Sequence, residues 1–222
     1  MAIYKIFPEK DSTLYTEFPN QNTGLDEIIE ASTYIKNDNP QVSRYLIKFP
    51  TSLISSLYQD KITNGEYKTY LRNFNATVTG LNLDQKLEVY PVSGNWGMGT
   101  GKYNDAPKVE NGTSWNWIDY SGSNLWPTSG FSTYVTASWS GSVTGGGNWY
   151  TGSNLSLLPV TQSQTFNYSD TKDVLIDVTN TVETWYSNSL NPADGFKNEG
   201  FIVKQPSNSE FIYKKANTTI FK

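Results

Sequence analysis

The chain has 222 residues, no cysteine, no histidine, and a formal charge of −4 made of 17 basic and 21 acidic side chains without long runs. This composition excludes disulfides, thiolate metal sites, imidazole ligands and the usual general base, and it offers no basic stripe for a nucleic-acid groove. The length suits one large all-β domain, because a chain of this size buries roughly 70% of the surface that its unfolded form exposes.

From the start, Pro8, Glu9, Lys10 and Asp11 interrupt the apolar residues before they reach signal-peptide length, and no run of about 18 apolar residues follows. Neither export nor a membrane span is expected. Short alternating runs bounded by Gly, Asn, Asp and Pro predict strands at 3–7, 12–15 and 27–34. In the next, "SRYLIKFP", Tyr45, Ile47 and Phe49 share one face and Arg44, Leu46 and Lys48 the other. Further strands are predicted at 69–79, 86–92, 131–138, 165–167, 174–177, 200–204 and 210–214. Two segments have helical spacing: Leu53, Ile54 and Leu57 after a Ser52 cap, and Val178, Val182 and Trp185. Helices this short depend on docking against a sheet.

Residues 93–164 change texture to Gly, Ser, Thr and Asn, yet carry all but one of the seven tryptophans. Linkers are polar, so this is read as an ordered excursion from a single domain spanning 1–222. A phosphate-binding loop fails on position, because Gly94 and Gly99 have the Walker spacing but Thr100 stands where Lys is required. Two readings remain. The rings of Trp96, Tyr103, Trp115 and Trp117 have polar neighbours suited to a sugar platform, and equally they can close a sandwich edge. Trp96 and Trp115 are expected to be buried, with a mobile Gly-rich tip at 145–147, and any binding surface is expected among Trp117, Trp126, Trp149 and Tyr103.

The order of segments resembles the DNRLRE-type β-sandwich modules over about residues 11–204. Asn22 and Gly24 match that family's first turn, Arg44 and Phe49 its Arg-x-x-x-Phe strand, and Trp96 the tryptophan after a "V-x-P-V" strand. Gly112, Ser114 and Trp115 match its "G-x-S-W" stretch, Asp177, Val178 and Thr179 its Asp-Val-Thr strand, Trp185 its helix, and Asn198, Gly200 and Phe201 its closing strand. The resemblance implies an all-β, antiparallel, jelly-roll-like β-sandwich with one or two short helices. Trp96, Trp185 and Phe201 would then pack between the sheets. The opening "MAIYKIFPEKD", continuing into "NTGLDEIIEAS", is similar to virion structural proteins of large tailed phages, in particular marine and gut phages.

Chemistry points the same way. No Gly-x-Ser-x-Gly elbow is present, no spacing pairs two carboxylates, and Asp173 and Asp177 read as a solvated position and a helix cap. No loop has recognisable calcium spacing. The expectation is a non-enzymatic structural protein of a phage virion, tail, neck or capsid-associated. It would need no cofactor or metal, would assemble in the host cytoplasm, and would contact other virion proteins in multiple copies but neither nucleic acid nor membrane. The alternative is a carbohydrate-binding module that holds a polysaccharide on Trp and Tyr platforms. Both ends of the chain are expected to pair into the sheet or into a neighbouring subunit.

Overall fold

Alternating runs fold here into antiparallel strands, and helices form at the two places where apolar spacing turns to three and four. The structure, a computed structural model, describes residues 2–62, 66–76, 78–79, 85–126, 134–136, 145–150, 162–166, 173–206, 210 and 219–221. In chain order the elements are β1 (Lys10–Tyr15), β2 (Ala31–Lys36), β3 (Asn39–Lys48), α1 (Thr51–Lys61), β4 (Tyr70–Asn73), β5 (Val78–Thr79), β6 (Gln85–Pro91) and β7 (Trp117–Asp119). They continue with β8 (Asn124–Leu125), β9 (Tyr134–Thr136), β10 (Asn148–Tyr150), β11 (Gln162–Phe166), β12 (Val174–Asp177), α2 (Thr179–Leu190), β13 (Phe201–Lys204) and β14 (Thr219–Phe221).

An eight-stranded antiparallel sheet runs β11-β6-β13-β3-β2-β14-β5, with β1 also on β3. Leu46 lies opposite both Ser12 of β1 and Ile202 of β13, while Ser43 lies opposite both Tyr15 of β1 and Ser32 of β2. Strand β1 therefore takes one edge of β3, and β13 and β2 share the other, each on its own half. The sheet forks at Arg44, the residue between those two pairings.

Both faces of β3 are covered, as its alternation requires. Tyr45, Ile47, Leu87, Val89, Phe201 and Val203 pack towards the helices and the β4–β12 ribbon, among them Ile54, Leu71, Ile176, Val182 and Trp185. Leu14, Val42, Leu46 and Ile202 face the opposite way, onto Val92, Trp96, Trp115, Trp126 and Trp149. The all-β class and the sandwiching of apolar faces thus follow from the strand pattern. The tryptophan-rich loops form a layer of their own.

Several expected boundaries shift for local reasons. Residues 3–7 form no strand, because Pro8 carries no N–H and the first bond to β3 comes from Glu9, whose N–H meets the Lys48 carbonyl at 2.8 Å. Strand β2 starts at Ala31 rather than at 27, since the Glu30 N–H is already taken by the Thr13 hydroxyl at 3.0 Å. The segment 69–79 splits into β4 and β5 where the Asn75 N–H turns to the Asp173 carboxylate at 3.1 Å, so Asp173 is a tether rather than a solvated position. Helix α1 begins at Thr51 behind Pro50, not behind Ser52, and it buries Ile54 and Tyr58 while Leu53 faces solvent. Tyr58 takes the inner face by packing on Tyr186 and Tyr67, with ring centroids 4.8 and 5.3 Å away. The expected strand 131–138 is described at β9 alone, and 210–214, apart from Glu210, lies outside the described residues.

Near the carboxyl end, β14 sits between β2 and β5 and pairs antiparallel with both, as expected of that end. Deleting residues 217–222 strips both neighbours of their partner. A loss of about 2 kcal/mol is expected, which lowers the melting temperature of a chain this size by roughly 4–8 °C, measurable by calorimetry.

Candidate functional site

The tryptophan layer is built around Arg44. Its guanidinium has no access to water, and it donates from Nε and Nη2 to the two carboxylate oxygens of Glu210, both at 2.7 Å. Its Nη1 donates to the Gly146 carbonyl at 2.6 Å. The same cation lies 4.7 Å from the centroid of Trp115 and 5.6 Å from that of Trp149. Lys204, equally buried, places Nζ 3.4 Å from Glu210 and 5.7 Å from the Trp149 ring, and donates to the Gln205 carbonyl.

The remaining rings are held by their own N–H groups. Trp96 donates to the Glu199 carbonyl at 2.8 Å and lies under the Lys10 ammonium, and Trp126 donates to the Ser114 carbonyl at 2.9 Å. Trp96 and Trp115 are buried as expected. Trp126 and Trp149, expected among the outward rings, are each only 1% exposed and cannot act as platforms. The reason lies at 145–147, expected to be a mobile tip. Gly146 has φ +78 and packs so tightly that a Cβ there would meet Arg44 Nη1 at 2.6 Å and Trp115 at 2.7 Å. This glycine turn is the inner wall that seats Arg44 and Trp115.

Two Asn-x-Gly motifs fasten loops to this frame in the same way. Asn22 accepts from the Gly24 and Gly101 N–H groups and donates to the Met98 and Thr113 carbonyls, both at 2.7 Å. Asn198 accepts from the Gly200 N–H at 3.0 Å and donates to the Phe49 carbonyl and the Thr51 hydroxyl. Gly200, with φ +89, brings the chain so close to β3 that a Cβ would meet the Ile47 carbonyl at 2.5 Å. Phe201 then packs between Trp185, 4.6 Å away, and Phe49, 6.5 Å away. Asp177 caps α2 by accepting from the Thr179 N–H and hydroxyl at 3.0 and 2.6 Å. Burial alone would raise its pKa, but bonds from Lys68 and Thr179 outweigh that and hold it below the usual range.

What stays at the surface is narrower than the sequence suggested. Trp117 is the one tryptophan among the described residues left half-exposed. Its Nε1 donates to Asn20 at 3.0 Å, the Asn116 amide reaches the same oxygen at 2.9 Å, and Tyr120 meets its ring edge-on at 5.0 Å. Across Pro19, Tyr103 packs on Tyr15 and Phe18, and Lys108 sits 4.3 Å over the Phe18 ring. The hydroxyls of Tyr103 and Tyr34 and the Lys36 ammonium converge on Glu17. Burial alone would raise the Glu17 pKa, and those bonds outweigh it, so the carboxyl stays charged below its usual range. Among the described residues no group of three or more His, Cys, Asp or Glu side chains is placed to hold a metal ion. No family model, curated protein or solved structure matches the chain.

Two predictions follow from the layer. Trp96→Ala removes a buried, bonded ring and should cost about 3–5 kcal/mol, whereas Trp117→Ala at the surface should cost about 1 kcal/mol or less. Chemical denaturation of both variants checks the ratio. Burial moves the Lys204 pKa from 10.5 to about 8, against the pull of Glu210 and with a push from Arg44. The folded chain therefore binds fewer protons than the unfolded chain between those values, and this group makes stability rise from pH 8 towards 10.5. The buried tyrosines Tyr15 and Tyr45, whose pKa values burial raises, reverse the trend above about pH 10. A stability maximum near pH 9–10 is expected, and Lys204→Met should flatten the rise that leads to it.

Proposed function

We propose that the chain is a non-enzymatic structural protein of a tailed-phage virion, a tail, neck or capsid-associated component that works through protein–protein interfaces. The carrying observation is where apolar surface is left over. Among the described residues five tryptophans are buried in scaffolding, while Ile3, Tyr4 and Phe7 lie open at 74%, 52% and 77% exposure on residues 2–8, which pair with no strand. A segment outside the sheet with exposed apolar side chains suits capture by a neighbouring protein. Only Ile6 of that arm packs back on the core. The likeness of this same opening stretch to phage virion proteins, and of residues 11–204 to DNRLRE-type modules, supports the choice of particle. No described helix is long and apolar enough to cross a membrane.

Mass spectrometry of purified particles tests the reading: the chain is expected in intact virions, in multiple copies, and its absence there would overturn the proposal. Within a particle-forming system, Ile3→Ser with Phe7→Ser should leave the melting temperature within about 2 °C, since both side chains are exposed, and should reduce incorporation.

A second reading is favoured by one observation, the half-exposed Trp117 flanked by Asn20, Asn116 and Tyr120. Such a ring beside amides suits a sugar face, and Tyr103 is the other outward aromatic of this reading. Titration of intrinsic fluorescence with neutral and acidic polysaccharides decides it: binding abolished by Trp117→Ala supports a glycan module, and no perturbation removes it.

A further inference from the structure

We infer that the outer edge of β4 is a self-pairing edge, on which a second copy of this chain adds its own β4 antiparallel about a two-fold axis at Leu71. The inference rests on strand parity and side-chain order, and it holds or fails independently of the particle assignment.

Within the β4–β12 ribbon Tyr70 lies opposite Asp177, Leu71 opposite Ile176 and Arg72 opposite Leu175. The Val178 N–H donates to the Thr69 carbonyl at 2.8 Å, so residues 69, 71 and 73 aim their main-chain groups at β12. Those of Tyr70 and Arg72 point away. Strand β12 confirms the parity, since its outward Leu175 N–H meets Gln164 Oε1 at 2.7 Å.

Two other outward edges, those of β12 and β1, are closed by side chains. Gln164 accepts from Leu175 and donates to the Asp173 carbonyl at 3.1 Å, so one amide stands in for a strand along β12. On β1, the Thr23 hydroxyl accepts from the Thr13 N–H at 3.1 Å and donates to the Thr13 carbonyl at 2.7 Å. No such plug reaches the outward main-chain groups of Tyr70 and Arg72 among the described residues. The main-chain groups of Tyr70 and Arg72 are thus left unplugged among the described residues, where those of β12 and β1 are closed, and an edge of this kind is a template for pairing with another chain.

Side-chain order names the occupant. Leu71 and Ile176 are buried, so the other face of the ribbon carries Lys68, Tyr70, Arg72, Phe74 and Leu175, with Tyr70, Phe74 and Leu175 exposed at 49%, 69% and 53%. Lys68 reaches across to Asp177 at 2.7 Å, and Arg72 rests 4.5 Å over the Phe74 ring, as expected of side chains on one face, and Tyr70 and Leu175 join them by register. Cation and aromatic alternate, so the row is complementary to itself when reversed. With the axis at Leu71, each Tyr70 faces Arg72 of the second copy and each Phe74 faces Lys68 of the second copy. Every cross-strand pair on this face is then a cation against a ring. An axis at Arg72 would set Arg72 against Arg72, and one at Tyr70 would set Arg72 against Lys68. The contact is isologous and closes as a dimer.

The chain has no cysteine, so a register-specific crosslink gives a clean test. Directly paired residues of this type lie about 5.5 Å apart at Cα, within disulfide reach. Tyr70→Cys and Arg72→Cys proteins are prepared separately, checked for unchanged melting, then mixed under mild oxidation. A crosslinked dimer in the mixture and none in either protein alone is the expected result. No crosslink in the mixture, or equal crosslinking in the separate preparations, overturns the inference. In sedimentation, unsubstituted protein should dimerise as concentration rises, and Arg72→Glu should weaken this by roughly tenfold or more by removing two cation–ring pairs. A chain that stays monomeric at every concentration, its edge taken only by a strand of another protein, also overturns it.

Discussion

A guanidinium closed off from water holds the two halves of the main sheet at the point where they part. On the edge of β3 shared by β2 and β13, Arg44 is the residue that neither strand pairs, because β2 ends its register at Ser43 and β13 begins at Tyr45. A fork in a sheet leaves a wedge that ordinary strand pairing cannot fill. Here it is filled by charge, with a bidentate carboxylate, a glycine carbonyl and two indole faces around one cation. Removing a charge of this kind from water costs several kcal/mol unless every donor is matched. Each partner is therefore constrained by the others. Glu210 has to meet Arg44 from 166 residues away, Gly146 has to take a left-handed turn, and Trp115 and Trp149 have to hold their rings 4.7 and 5.6 Å from the cation. The cluster joins residues far apart in sequence, so it favours this arrangement of loops over other compact ones.

The tryptophans are explained by the same constraint. A layer made of loops has few ladder bonds, so its cohesion comes from side chains that combine large apolar area with a polar handle. Indole supplies both. Trp96 ties the loop after β6 to the turn before β13, and Trp126 ties the end of β8 back to Ser114. The glycines between them let backbone approach backbone, and asparagines at 22 and 198 collect carbonyls and amides that would otherwise be stranded in the interior. Asparagine suits this duty because one side chain both donates and accepts.

Legibility in the sequence followed the range of the interactions involved. Strands β3, β6, β12 and β13 and the buried stripe of α2 could be read from alternation, because period-2 and period-3.6 patterns are local. The Asn-x-Gly turns were legible for the same reason. Arg44 was singled out by its place in a strand motif, but its carboxylate lies 166 residues away, and no local signal could join them. The burial of Trp126 and Trp149 is not legible, because an aromatic ring in a Gly-rich loop looks alike in sequence whether it faces in or out. The strand expected at 3–7 had the right alternation and lacked a partner edge, which is a property of the tertiary fold. Thr23 and Gln164 gave no signal at all, since ordinary polar residues become strand substitutes only where a free edge passes by.

That last pair changes how the surface is understood. A side chain that completes a main-chain hydrogen-bond pair satisfies the buried or half-buried groups without offering a further edge, so it both stabilises the strand and blocks addition of another chain. Hydroxyl and amide plugs at β1 and β12 thus close those two edges to a further strand. The exposed aromatics divide accordingly. Tyr70 and Phe74 accompany strand backbone that pairs with no further strand among the described residues, Phe7 and Ile3 accompany a segment outside the sheet, and Trp117 and Tyr103 sit where their polar atoms already have partners within the chain. Rings of the first two kinds remain exposed beside backbone that can still pair, so an incoming strand satisfies hydrogen bonds and buries apolar area in one step. Rings of the third kind offer only a face. Exposed rings beside backbone able to pair and exposed rings beside satisfied polar atoms therefore lie at separate places among the described residues, and substitutions at one set leave the other set structurally untouched.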